Sequence, residues 1–500
     1  MRADFPHPVL AAVDLGSNSF RLQISRVVDG QLFTLDSLKE TTRLGAGLGP
    51  DKVLDEASVG RALACFARFG ERLRGLEGAQ VRVVGTNTLR VARNAPELIA
   101  EGERLLGFPI EIIAGREEAR LIYLGAAHSL PNTRERRLVV DIGGGSTELI
   151  VGSHFQAHVT ESLPLGCVSY TLRFFEGGRI DSASFNRAVY AARAELQRVA
   201  HVFPRTSWEL GVGTSGTARS IRDLLELNDW SAGNITYGGM RELRNALIRI
   251  GRIDKISLNG LKADRAPVIC GGLAVMLAVF EELGVDAMTI ADGALRDGVL
   301  YDILGRGRER DQREQTVATF TRRYHADPAQ AARVKALALD FYRQLAGEDC
   351  QVLTLRRLGW AAALHEIGLS IAHTAYHKHS AYILQNADMP GFSRPEQAAL
   401  STLVLCQRGD SGKMRDFAQQ PDLWYSVLAL RMAVLFCRSR RPLALPAGAV
   451  LFAQPRGVRF ELPAAWLEEN PLTASALEQE AVQWRRIGLK LALDVRQADD

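Results

Sequence analysis

Asp14-Leu-Gly-Ser-Asn-Ser-Phe-Arg-Leu22 and Asp141-Ile-Gly-Gly-Gly-Ser-Thr-Glu-Leu149 are two versions of one nine-residue pattern, and each follows an apolar, β-branched run. The runs Val9-Leu-Ala-Ala-Val13 and Arg137-Leu-Val-Val-Asp141 read as buried strands. The small residues after them let the backbone turn tightly with its N–H groups exposed, which suits a phosphate. Each loop opens with a carboxylate able to hold a divalent cation directly or through water. Two related half-domains facing one phosphorylated ligand are therefore expected.

Outward from the first loop, residues 20–28 alternate as a strand, Asp29-Gly30 supplies a hairpin turn, and 31–39 returns as a third strand. Helical periodicity over 58–76, a strand at 81–84, a helix at 95–106, a strand at 110–113 and a helix at 117–130 complete a mixed α/β half. The second loop replays the order with strands at 138–142, 147–151 and near 154–163. Two further short loops, Gly213-Thr-Ser-Gly-Thr217 and Ala291-Asp-Gly-Ala-Leu-Arg296, each follow a strand and precede a helix, where a helix N-terminus can be aimed at an anion. The charged run from Arg306 to Glu314 marks a domain boundary. Beyond it, 315–441 is almost wholly helical in pattern, and the tail adds strands at 449–452 and 458–462 and an amphipathic segment at 481–493.

A chain of 500 residues is too long for one core, and about 100–200 residues per domain predicts several. With 47% hydrophobic and 24% charged residues the composition is that of an ordinary globular protein. A formal charge of +4 is weak support for nucleic-acid binding and suits an anionic substrate equally well. The six cysteines are widely spaced, with no zinc pattern, as in a reducing cytoplasm. Residues 1–8 lack an apolar signal core, and the longest apolar stretch, 266–280, contains Pro267 and falls short of the ~18 residues that span a bilayer. That stretch reads as a buried helix, so no integral membrane segment is expected, and peripheral association is left open.

The duplicated loops and their strand order resemble the actin-like (ASKHA, ribonuclease H-like) fold. Within it, Asp14-Leu-Gly-Ser-Asn-Ser-Phe20, Glu117-Glu-Ala-Arg-Leu-Ile-Tyr123, Asp141-Ile-Gly-Gly-Gly-Ser-Thr-Glu148 and His379-Ser-Ala-Tyr-Ile-Leu-Gln-Asn386 resemble the bacterial exopolyphosphatase / guanosine pentaphosphate phosphohydrolase family over essentially the whole chain. The fold class implied is α/β, with actin-like half-domains at 1–126 and 127–305, an all-α HD-like domain at 306–441 and a small α/β unit at 442–500. Gly145 and Asp292 resemble the exopolyphosphatase branch, whereas His365-Glu-Ile-Gly-Leu-Ser370 looks closer to the pentaphosphate branch. The first reading is thus release of terminal orthophosphate from inorganic polyphosphate. Hydrolysis of guanosine pentaphosphate to tetraphosphate is the alternative, and an actin-like kinase or a non-catalytic sensor is more remote.

Phosphoanhydride hydrolysis needs charge neutralisation, donors around the transferred group and a base that orients water. The resemblance assigns Asp14, Asp141 and Glu148 as acidic catalytic positions that hold Mg²⁺, with K⁺ a candidate activator, and Glu118 as the general base, leaving Glu117 a solvated neighbour. Backbone and hydroxyl donors of Gly16, Ser17, Asn18, Gly143, Gly144, Gly145 and Ser146 suit the terminal phosphate. Arg90 matches a family arginine thought to contact phosphate oxygens. His365, His373, His377 and His379 fall where an HD-type domain would bind metal, but the expected His-Asp pair is His365-Glu366, so packing or polyanion contact is expected instead. The basic groups Arg356-Arg357 and Arg438-Ser-Arg-Arg441 suit a polyphosphate track, and the family implies a homodimer.

Overall fold

A computed structural model describes residues 9–496 except 29–30, 132–133, 306–310, 418–419, 442–444 and 447. The expected Asp29-Gly30 turn and the start of the charged run at Arg306 lie outside the described residues. The chain forms two compact units, Met1–Asp311 and Gln312–Asp500.

The first unit holds two sheets. Strands β1 (Val9–Leu15), β2 (Phe20–Val28), β3 (Gln31–Glu40), β4 (Val81–Gly85) and β5 (Ile110–Ile112) lie in the order β3-β2-β1-β4-β5. Strands β6 (Arg137–Ile142), β7 (Thr147–Ser153), β8 (Gln156–Leu163), β9 (Leu210–Thr214), β10 (Ile235–Thr236) and β11 (Ala287–Ile290) lie in the order β10-β11-β9-β6-β7-β8. Apart from the edge strand β10, the two orders are the same. Even the irregularity repeats: the antiparallel register shifts after Ile24 in β2 and after Val151 in β7, each four residues past the start of its strand. A bulge at the same point in both copies bends both meanders alike.

The helices of this unit are α1 (Glu56–Leu73), α2 (Asn87–Val91), α3 (Ala95–Leu106), α4 (Gly115–Ser129), α5 (Cys167–Phe174), α6 (Ser182–Gln197), α7 (Ser215–Leu227), α8 (Tyr237–Ile250), α9 (Ile269–Leu283) and α10 (Leu295–Gly305). Their ends are chemically marked: Asp55 caps α1 through Ser58 N–H at 2.6 Å, Asp181 caps α6 through Ser184 N–H at 2.7 Å, and α3 stops at Gly107 with φ 79°.

Strand β1 is apolar throughout because both its faces are covered. Ala11, Val13 and Leu15 pack with α1 and α3, while Leu10 and Ala12 pack with α4 and α10. Strand β6 divides the same way, with Leu138, Val140 and Ile142 turned to the α5–α9 side and Val139 to α4 and α10. The pair α4 and α10 thus lies between the sheets. A Cβ on Gly125 would come within 2.0 Å of Ala294 O, and one on Gly298 within 1.8 Å of Leu121 O, so the helices touch backbone to backbone. The apolar stretch expected to be too short for a membrane continues as a helical run of 18 residues, Ala266–Leu283. Its spanning length reflects two-sided burial, because it fills the core between α5, α6 and the second sheet.

The second unit comprises α11 (Gln312–Arg323), α12 (Pro328–Ala346), α13 (Val352–Leu364), α14 (Tyr376–Asn386), α15 (Arg394–Cys406), α16 (Pro421–Phe436), α17 (Ala464–Glu469) and α18 (Pro471–Arg485), with a sheet of β12 (Val450–Gln454), β13 (Gly457–Pro463) and β14 (Lys490–Arg496). One hydrophobic cluster runs through Phe341, Phe436, Phe460 and Trp484, joining the helices to the small sheet. The amphipathic segment expected at 481–493 is two elements, the end of α18 and the strand β14, divided at Gly488 with φ 82°. His365 is buried, with Nδ1 2.7 Å from Ala362 O, and Glu366 pairs with Arg440 at 2.7 Å. Among the described residues no group of three His, Cys, Asp or Glu side chains is placed to hold a metal ion.

Candidate active site

Pairing of Leu15 with Phe20 and of Ile142 with Thr147 closes two loops of equal length, Gly16–Ser19 and Gly143–Ser146. Each loop is tied down by the segment after its third strand. Arg43 N–H donates to Asn18 O at 2.9 Å and Gly45 N–H to Ser17 O at 2.7 Å. In the second copy, Cys167 N–H donates to Gly143 O and Val168 N–H to Gly144 O, both at 2.9 Å. Loop carbonyls are thereby occupied from behind. The Gly143 N–H, expected to meet phosphate, is instead taken by Ser146 O at 2.9 Å within the turn.

The glycines of the second loop have a reason the sequence did not reveal. A Cβ on Gly144 would lie 3.0 Å from Ser17 Cβ and 3.1 Å from Asn18 N, and one on Gly145 would lie 2.6 Å from Asn87 Oδ1. The two loops press against each other, so small residues serve their mutual approach as well as that of a ligand.

Around the loops opens a cleft lined by Asp14, Gly16, Ser17, Asn18, Glu118, Asp141, Gly143, Gly144 and Ser146 from the expected set. Both less specific loops also reach it, through Ser215, Gly216 and Thr217 and through Ala294, Leu295 and Arg296. Ser215 holds a left-handed backbone with φ 68°, and its hydroxyl donates to Ile142 O at 3.0 Å. Four arginines that no motif assigned, Arg21, Arg219, Arg265 and Arg296, give the cleft its positive wall. Arg21 was visible as the eighth residue of the first pattern, and Arg219 and Arg296 lie in or just after the two further loops. Arg265 stands in an unpatterned loop and had no sequence signal.

Burial governs the acids. It pushes the Asp14 carboxyl up to about 6 against the pull of Arg21 and Arg296. Asp141 is also raised by burial, with the Thr214 hydroxyl donating to its Oδ2 at 2.6 Å and opposing the rise. Glu148 is raised well above the carboxylate range by burial and by the charges of Glu118 and Asp141. Its Oε1 accepts from Ser162 at 2.8 Å, and it sits behind the cleft wall.

Glu118 occupies the first turn of α4. Burial pushes it up to about 7; Arg90 opposes the rise, and Asp14 and Asp141 add to it. A general base works best with a pKa near the working pH. Arg90, expected on phosphate oxygens, instead bonds Ile113 O at 2.6 Å and Glu118 Oε2 at 3.3 Å, and it does not line the cleft. The guanidinium is thus turned toward Glu118 in the first turn of α4. Glu117, expected in solvent, is 3% exposed. It receives both arms of Arg120 at 2.8 Å, and Arg120 also bonds Asp302 of α10 at 2.6 Å. Asp302 in turn accepts from Arg82 of β4 at 2.8 Å. The sequence position of Glu117 suggested an ordinary acidic helix start, but the neighbouring α10 buries it.

Buried carboxylates that raise one another fit a divalent cation chemically. Because no three acids among the described residues converge to bind one directly, the fit is to Mg²⁺, which keeps several waters and takes phosphate oxygens as ligands. Asp14 and Asp141 line the cleft and suit that role; Glu148, expected to join them, faces Ser162 instead.

Two half-domains of one topology, paired glycine- and serine-rich loops and a buried glutamate at their cleft define an actin-like phosphoanhydride hydrolase. The Ppx/GppA phosphatase family matches residues 23–307, and Ppx/GppA phosphatase domain III matches 312–481. The chain belongs to this family. It is 38% identical over 490 residues to the guanosine-5'-triphosphate,3'-diphosphate pyrophosphatase of Aeromonas hydrophila subsp. hydrophila, covering 96% of this chain and 98% of that one. The Aeromonas salmonicida enzyme of the same name is 37% identical with the same coverage. Among solved structures, the Aquifex aeolicus Ppx/GppA family member is 27% identical with a TM-score of 0.51, covering 60% of this chain and all of that one. An exopolyphosphatase from Cytophaga hutchinsonii, 23% identical with a TM-score of 0.54 over 59% of this chain and 97% of that one, shares the fold.

Proposed function

We propose that the chain hydrolyses the terminal 5′-phosphoanhydride of guanosine 5′-triphosphate 3′-diphosphate, releasing orthophosphate. The observation that carries this reading is end-to-end identity of 38% to a pyrophosphatase named for that nucleotide. It reverses the order expected from sequence, where Gly145 and Asp292 pointed first to polyphosphate. Neither residue lines the cleft: Gly145 abuts Asn87, and Asp292 contributes its backbone carbonyl to Arg219 at 2.9 Å. Residues that do not face the substrate are poor reporters of its identity.

In this reading the terminal phosphate lies between the loops, with Ser17, Asn18 and Ser146 donating to it and Arg21 and Arg265 balancing the charge of the chain. Mg²⁺, held through water by Asp14 and Asp141, would neutralise charge on the leaving phosphate. Glu118 accepts the proton of the attacking water, and Arg90 orients its carboxylate. A bare phosphate binder gains nothing from carboxylates beside an anion, which favours turnover over sensing.

Release of orthophosphate from inorganic polyphosphate is the second reading, favoured by four guanidinium groups in one cleft, which suit any linear phosphate chain. Measuring kcat/KM for the nucleotide and for long polyphosphate side by side separates them. A higher value for the nucleotide is expected, and a clear preference for polyphosphate would reverse the assignment.

A further inference from the structure

A second groove adjoins the cleft and takes no part in the chemistry above. Thr41, Arg43 and Arg61 line it together with Asp264. Arg43 is anchored to the first phosphate loop, its backbone N–H donating to Asn18 O at 2.9 Å. It holds a left-handed backbone with φ 50°, a conformation unfavourable for a residue with a Cβ and one that recurs at ligand sites. Its side chain is exposed and in no ion pair among the described residues. Arg61 is already committed, with Nε bonded to Thr42 O and Nη2 to Ser58 Oγ. Asp264 is paired with Lys39, and the next residue, Arg265, lines the catalytic cleft.

The groove therefore carries one uncommitted guanidinium beside the loop that would hold the terminal phosphate. A linear phosphate chain needs one continuous track, whereas a nucleotide phosphorylated on both sides of its ribose needs a second anion site close to the first. We infer that this groove receives the 3′-diphosphate of the nucleotide and that Arg43 contacts it. Guanidinium groups bind phosphate oxygens in pairs of parallel hydrogen bonds, and the Asp264 carboxylate opposes an anion on its own side, directing it to Arg43. The inference rests on the nucleotide reading of function and assigns Arg43 as a specificity determinant within it.

Arg43→Asn tests this, because asparagine tolerates the left-handed backbone while removing the charge. KM is measured for guanosine 5′-triphosphate 3′-diphosphate, for GTP and for tripolyphosphate. The expected result is a rise of about tenfold for the first, the loss of one charge-assisted contact, with the other two unchanged. An unchanged KM for the first substrate, or equal rises for all three, would overturn the inference. If the native chain does not turn over the nucleotide, the functional reading fails separately. The groove is then read by calorimetric binding of guanosine 5′-diphosphate 3′-diphosphate against GDP. A preference for the former that Arg43→Asn erases supports it, and the absence of a preference, or one that survives the substitution, overturns it.

Discussion

Asp141 and Glu148 stand directly opposite each other on β6 and β7, whereas the same register position in the first copy pairs Asp14 with Arg21. One duplicated hairpin thus became two unlike half-sites, one with an acid pair and one with an acid and a base. The acid pair is costly without a cation. A buried acid raised above its ordinary 4.5 destabilises the fold increasingly as pH rises past that value. Glu148→Gln is therefore expected to melt higher than the native chain at pH 7 in EDTA, by about 2 °C or more, and the difference to vanish near pH 4. Added Mg²⁺ is expected to raise the native melting temperature, and Asp141→Asn to remove most of that rise. Identical melts with and without Mg²⁺ would take the cation out of this site.

Glu118→Gln is expected to lower kcat by about 10²–10⁴-fold with little change in KM. Retention of most activity would mean that another group orients the water.

Arg90→Ala separates two roles for the arginine. Arg90 holds the Glu118 pKa down, so its loss raises that pKa, and the base, active when ionised, fails sooner on acidification. The acid limb of kcat/KM is expected to move to higher pH, with activity at pH 6 falling more than at pH 8. A cation in the cleft would lower the midpoint in both enzymes, so the comparison between them carries the test. A uniform loss at every pH would restore the phosphate contact expected from sequence.

The strands and loops of the first unit were legible because two-sided burial writes an uninterrupted apolar run before each turn, and the turn residues are themselves distinctive. What escaped depends on long-range neighbours. Glu117 looks like a first-turn acid in any sequence, and only α10, some 180 residues later, supplies Asp302 and the partner geometry that bury it. Arg265 lies in a loop whose own residues carry no pattern. The tail misled for a local reason: the last turn of α18 and the start of a strand, joined at Gly488, give a mixed periodicity that reads as one amphipathic segment.

Arg120 bridges Glu117, its neighbour on α4, and Asp302 of α10. Removing one member of a buried ion cluster leaves unpaired charge and typically costs about 3–5 kcal/mol. Arg120→Ala is expected to lose stability of that order in chemical denaturation. Arg120→Ala with Asp302→Ala is expected to lose less than the sum of the two single changes. Additive losses would show that the two groups do not interact in solution.

Gly145 and Gly166 are neighbours that answer differently to one added carbon. At Gly145 the new Cβ meets Asn87 Oδ1 at 2.6 Å, the far end of a side chain that can rotate away. At Gly166 it meets Gly144 O at 2.2 Å and Gly145 Cα at 2.4 Å, both backbone of the Gly143–Ser146 loop. Gly145→Ala is expected to cost about 1 kcal/mol or less, and Gly166→Ala about 1–3 kcal/mol with a loss of activity, because the loop itself must shift. The ratio of nucleotide to polyphosphate hydrolysis is the sharper measurement. Gly145 resembles the exopolyphosphatase branch in sequence yet faces Asn87 rather than the cleft, so Gly145→Ala is expected to leave that ratio unchanged. A swing of the ratio toward the nucleotide would show that Asn87, displaced by the methyl group, transmits the difference to Ser17 and through it to the phosphate.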